Sequence, residues 1–171
     1  MELKEKMQIK DNLLKCIRIC GGVTGKFATM LCDDKEIFKE LMEDGQIRKI
    51  PVQVKMSDKT IKKMYLYETP VHKKLTQFPS MKEDEARLIS ILNNCYYTYQ
   101  SSAHWFEPQD IKRYVSNTSV RTKKLVPSLM FYEDDKVVAV YALHHHQKLD
   151  ENERQIIATE LMVDKVLEYL Y

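Results

Sequence analysis

The sequence predicts an α+β protein of two modules, on the strength of three observations. Apolar residues recur at helical spacing in some segments and alternate with polar ones in others, so both kinds of element are expected. Charge is divided along the chain. Residues 1–80 hold 16 basic and 11 acidic side chains, a balance of +5, while residues 81–171 hold 11 and 14, a balance of −3. All four glycines (Gly21, Gly22, Gly25 and Gly45) fall in the first part. This split makes the QFPS stretch, Gln77–Ser80, the expected joint between modules over 1–78 and 81–171. With 171 residues, 44% apolar and 30% charged, each module can bury a modest core, and the composition is not that of a disordered chain. No apolar run approaches the ~18 residues that span a bilayer. The opening MELKEKMQIKDN lacks the apolar centre of a signal peptide, so a cytoplasmic protein without membrane contact is expected.

In the first module, Leu13, Leu14, Ile17 and Cys20 hold helical spacing, and Gly21-Gly22 stops that helix. Thr24 is placed to cap a short second helix with Phe27, Ala28 and Leu31 on its buried side. Asp33 and Glu36 form the spacing of a capping box for a third helix, whose apolar stripe is Ile37, Phe38, Leu41 and Met42, and Gly45 suits its left-handed end. A hairpin follows. Ile50, Val52, Val54 and Met56 alternate with polar residues, Ser57-Asp58-Lys59 supplies the turn, and Met64 and Leu66 mark the return. Of the seventeen residues from Ile47 to Lys63, six are basic (Arg48, Lys49, Lys55, Lys59, Lys62 and Lys63) and only Asp58 is acidic.

Three helices and then a hairpin is the order of a winged helix-turn-helix. The stretch GVTGKFATMLCDDKEIFKELMEDGQIRKI…KKMYLYETP resembles the winged-helix domain of replication–relaxation-type proteins and transcriptional regulators of bacterial plasmids and other mobile elements. In both, a short Thr-capped helix precedes one ending Leu-x-x-x-Gly-x-Ile, here Leu41 to Ile47, and then a wing. The resemblance implies double-stranded DNA as the partner and no cofactor. In that family the third helix usually enters the major groove. Here Asp33 to Asp44 carries Asp33, Asp34, Glu36, Glu40, Glu43 and Asp44 against Lys35 and Lys39, a balance of −4 that phosphates would repel. The expected DNA contacts are therefore the six basic residues of the wing, which would follow the backbone or a narrow minor groove. Lysines on an exposed edge strand also guard against unwanted pairing, and that is the competing account.

The second module begins with a helix from Lys82, with an acidic first turn (Glu83, Asp84, Glu85) and Ala86, Ile89, Leu92, Cys95, Tyr96 and Tyr99 at 3/4 spacing. A short helix follows Trp105, Phe106 and Pro108 and ends near Tyr114. Leu125 to Leu143 predicts two strands around Glu133-Asp134-Asp135, whose inner run of apolar residues implies burial on both faces. Asp150 caps an expected last amphipathic helix whose stripe is Ile156, Ile157, Leu161, Val166, Leu167 and Leu170. In the resembled proteins this part looks nuclease-like, with Pro-Asp entering one strand and Glu-x-Lys on the next. Here Pro127-Ser128 and VVAVYAL stand in those places, without the carboxylates that would hold Mg²⁺. The module is thus expected to serve structure, homodimerisation or contact with a replication, relaxase or other mobile-element protein.

Other signals are weaker. Cys16, Cys20, Cys32 and Cys95 lie in apolar stretches without paired spacing and predict small core residues. GGVTGKFAT is not a phosphate loop, because Cys20 and Phe27 occupy positions that need Gly and Ser or Thr. His144 and His146 would share one face of a strand and, with Tyr96, Tyr97 or Tyr99 as nucleophile, outline a metal-dependent nicking site. No acidic third ligand accompanies them, so solvated histidines and no metal are expected. The function expected is a non-enzymatic DNA-binding accessory or regulatory protein of a mobile element. The alternatives are an adaptor using the acidic third helix and, less favoured, the nicking enzyme.

Overall fold

The computed structural model describes residues 2–70 and 80–171, and it is mixed α+β as the sequence predicts. The chain forms two compact units, Met1–Tyr97 and Thr98–Tyr171. The described helices include none long and apolar enough to cross a membrane.

In the first unit, α1 (Leu3–Cys20) buries Leu13, Cys16, Ile17 and Cys20 and ends at Gly21, whose φ of 76° is the left-handed conformation that glycine adopts without strain. β1 (Val23–Thr24) leads into α2 (Gly25–Leu31), which buries Phe27 and Ala28. Thr24 holds the cap position of α2, but its hydroxyl makes no capping bond. The cap of α3 (Lys35–Glu43) falls one residue later than the capping-box spacing predicts. Asp34, not Asp33, accepts the Glu36 N–H at 2.9 Å, because its carboxylate reaches two residues ahead. Ile37, Phe38 and Leu41 form the buried stripe of α3.

The hairpin is β2 (Arg48–Lys55) and β3 (Ile61–Glu68), paired antiparallel along their full length from Arg48↔Glu68 to Lys55↔Ile61. Its strands lie inside a sheet of order β1-β3-β2-β4, with β1 antiparallel to β3 and β4 (Ser80–Lys82) parallel to β2. Ile50, Val52, Val54 and Leu66 make its buried face. Met81, Ala86 and Ile89 from β4 and α4 (Glu83–Tyr99) pack against them.

That packing moves the boundary expected at Gln77–Ser80. Ser80 opens β4, Gln77–Pro79 lie outside the described residues, and α4 to Tyr97 belongs to the first unit. Asn93, 1% exposed, accepts the Thr24 N–H at 3.0 Å and donates to the Gly22 carbonyl at 2.9 Å. Tyr96 donates its hydroxyl to Asn12 Oδ1 at 2.8 Å. A helix with these partners cannot belong to a separate second module.

The second unit carries a sheet of order β5-β6-β7-β8. β5 (His104–Trp105), β6 (Leu129–Glu133) and β7 (Lys136–Leu143) run antiparallel, and β8 (Lys165–Leu170) joins β7 in parallel after α6 (Glu151–Glu160). Val138 to Leu143 are all buried, so β7 is covered on both faces as predicted. α5 (Pro108–Ser116) and α6 supply Ile111, Val115 and Ile157 to a core with Met130, Ala139 and Tyr141. Asp150 caps α6 through a complete capping box with Glu153.

The single long C-terminal helix is overturned. α6 stops at Glu160, Met162 takes a φ of 48°, and Val166 to Leu170 are strand. The start of β8 is held by Asp164, whose carboxylate accepts the Val137 N–H at 2.8 Å and whose own N–H donates to the Val137 carbonyl. The apolar residues beyond α6 are used in parallel sheet pairing with β7, from Val138↔Lys165 to Leu143↔Leu170.

Candidate nucleic-acid interface

Strand alternation sorts the hairpin into two faces. Arg48, Ile50, Val52, Val54, Lys62, Met64, Leu66 and Glu68 share the face that packs on α4. Lys49, Pro51, Gln53, Lys55, Ile61, Lys63, Tyr65 and Tyr67 share the other, which holds three lysines and no acid. The six basic residues expected to act together are therefore divided. Lys49, Lys55 and Lys63 lie on the open face and are exposed. Lys62 is exposed at the tip of the opposite face, and Lys59 sits at the apex of the turn with φ 68°. Arg48 is committed: its guanidinium grips Glu68 across the strands, with Nε 2.7 Å from Oε1.

The turn is tied down by acids. Asp58 accepts the Thr60 hydroxyl and N–H, which hold its carboxyl below the usual range. Glu83, at the start of α4, accepts the Ser57 N–H at 2.8 Å, and that bond, with Arg87 beside it, lowers its pKa as well. Both carboxylates stabilise the turn while diluting the positive field around Lys59.

The open face also presents aromatic surface. Tyr65 is 53% exposed, with the Lys49 ammonium 4.2 Å from its ring centroid. Tyr67 meets Phe38 of α3 at 5.0 Å. A cleft of about 310 Å³ opens beside that pair, lined by Lys35, Lys49, Phe38 and Tyr67 among others. Lys35 and Tyr65 are surface residues that sequence reasoning passed over. Strand alternation around Lys63 contains the signal for Tyr65, whereas Lys35 is visible only once α3 lies beside the sheet.

The acidic third helix is less free than its composition implies. Glu40 is ion-paired with both Lys6 and Lys10 of α1, and hydrogen bonds from Lys10 and Lys6 hold its carboxyl down to about 2. Asp34 is spent on the cap and Glu36 lies 3.9 Å from Lys39.

In the second unit, the positions compared with a nuclease centre hold no carboxylate. Ser128 donates its N–H to the Val140 carbonyl and accepts the Ala142 N–H. His144 and His146 do not share a strand face, because β7 ends at Leu143 and His145–Gln147 form a 3₁₀ turn. Their two rings stack and that of His145 lies tilted against both, with donor atoms within 4.8 Å of one another. Among the described residues they are the group of possible metal ligands, and no acid belongs to it. Tyr96 is 1% exposed, while Tyr97 and Tyr99 are half-buried and the Tyr99 ring packs on Phe131. The four cysteines are buried thiols, as predicted.

No protein-family model matches the chain, and neither a curated protein nor a solved structure is significantly similar to it.

Proposed function

We propose that this protein binds double-stranded DNA through the open face and tip of the β2–β3 hairpin, in the manner of a winged helix-turn-helix. The element order α1-β1-α2-α3-β2-β3, with β1 paired to β3, supports the winged-helix assignment. One observation carries the functional reading: the open face concentrates Lys49, Lys55 and Lys63 with no acid among its eight residues. Edge protection does not account for Lys55, which pairs with both β3 and β4, whereas Lys63 lies on β3 beyond its two-residue pairing with β1, where edge protection is the competing account. A phosphate backbone is a polyanion that such a strip matches in sign.

In this reading the chain is a non-enzymatic accessory or regulatory factor, of the kind found on plasmids and other mobile elements. The adaptor alternative loses ground because Glu40 is neutralised from within the unit. Homodimerisation no longer draws on a spare helical stripe. A candidate seat is β8, one of the two outer strands of the second sheet and the longer of them. The test is fluorescence anisotropy on a labelled duplex over a salt series. Affinity should fall steeply as salt rises, with a log–log slope of about −0.9 for each phosphate contact. Absence of binding at low salt refutes the proposal.

A further inference from the structure

We infer that the open face of the hairpin also holds an unpaired nucleotide, with Tyr65 as the stacking platform for its base. The inference rests on the nucleic-acid reading above and deepens it. Duplex binding through phosphates needs lysines but no exposed aromatic ring, so the lysines leave Tyr65 unexplained. Tyr65 is 53% exposed in the middle of an eight-residue strand, where a polar residue would serve solubility better.

The surroundings of Tyr65 are chemically ordered. On one side the Lys49 ammonium lies 4.2 Å from the ring centroid. A cleft of about 280 Å³, which Lys49 does not line, is bounded by Tyr65, Pro51, Gln53 and Lys63. A base in that cleft has a π-face to stack on, the apolar Pro51 ring beside it, and the Gln53 amide as donor and acceptor for its edge. Lys63 beside it and Lys55 on the same face supply cations for the flanking phosphates. Ile61, 59% exposed and opposite Lys55, extends the apolar surface toward the tip. Aromatic and basic groups interleaved along an extended strand are the two components that single-strand binding requires. In a duplex the base faces are stacked on each other and closed to Tyr65, so the partner is single-stranded or locally opened nucleic acid.

The experiment compares the full chain with its Tyr65→Ala and Tyr65→Phe variants, using an oligothymidylate of about 15 nucleotides and a duplex of the same length. Loss of one base stack should weaken oligothymidylate binding on the order of tenfold in Tyr65→Ala. Tyr65→Phe, which keeps the stacking face, should retain it, and duplex affinity should change less than about twofold. Equal loss on both ligands, or none on the single strand, overturns the stacking role and leaves duplex binding standing. Competition by polyglutamate as effective as that of the oligonucleotide would reduce the face to a general anion sink and also overturn it. Failure of the wild-type chain to bind either nucleic acid removes both proposals.

Discussion

Asn93 and Glu40 illustrate how single polar side chains hold the first unit together. Asn93 spans from α4 to the β1 segment with both ends of its amide, so Asn93→Ala orphans the buried Thr24 N–H and the Gly22 carbonyl. At roughly 1–3 kcal/mol for each of the two orphaned groups, urea unfolding should show a loss of about 2–6 kcal/mol. A loss below about 0.5 kcal/mol would mean that α4 is not anchored there. Glu40 makes a prediction in pH. Its folded pKa of about 2 lies below the ordinary 4.5, so the stability it contributes is complete above pH 4.5 and is lost as pH falls toward 2. Glu40→Gln removes that contribution. The gap in urea midpoint between wild type and variant should therefore be full from about pH 5 upward and close as pH approaches 2, and a gap independent of pH would contradict the assignment.

Among the elements, those whose signal is local were legible in the sequence. The hairpin was readable from the alternation of Ile50, Val52 and Val54, the end of α3 from Gly45, and the α6 cap from Asp150. The C-terminal strand was not. Ile157 and Leu161 satisfy a helical repeat that Val166, Leu167 and Leu170 continue by coincidence of spacing, and no Gly or Pro marks the break at Met162. The break is set by Asp164 meeting Val137, a contact 27 residues away in sequence. The β6–β7 turn shows the same limit in milder form. Asp134 and Asp135 both adopt positive φ, 49° and 60°, where glycine is the unstrained choice. Asp135→Gly should accordingly stabilise the protein by about 0.5–1 kcal/mol in thermal or urea unfolding, and destabilisation would contradict the turn geometry.

For the molecule as a whole, the charge split between the two parts of the chain proved a better guide to surface than to domain boundary. The candidate site was legible as a cluster of basic residues, but not as a face, since pairing alone shows that Arg48 is consumed by Glu68 and that Lys49, Lys55 and Lys63 stand together. The boundary was hidden because α4 begins with acidic residues, which resemble those that follow it, while its apolar stripe covers Ile50, Val52, Val54 and Leu66. A fragment of residues 2–99 should therefore fold cooperatively, and one of residues 2–82, which leaves that face bare, should not. Equal circular-dichroism melts for the two would contradict the assignment of α4 to the first unit. The central claim is that the open hairpin face contacts phosphates. It is tested most directly by salt titration of duplex affinity for the wild-type chain, a Lys49→Ala/Lys55→Ala/Lys63→Ala variant, and a control carrying Lys112→Ala/Lys136→Ala/Lys165→Ala on exposed positions of the second unit. Three lost phosphate contacts should flatten the log–log slope by about 2.7 in the hairpin variant and leave the control at the wild-type slope. An unchanged slope in the hairpin variant, or equal flattening in both, would contradict the claim.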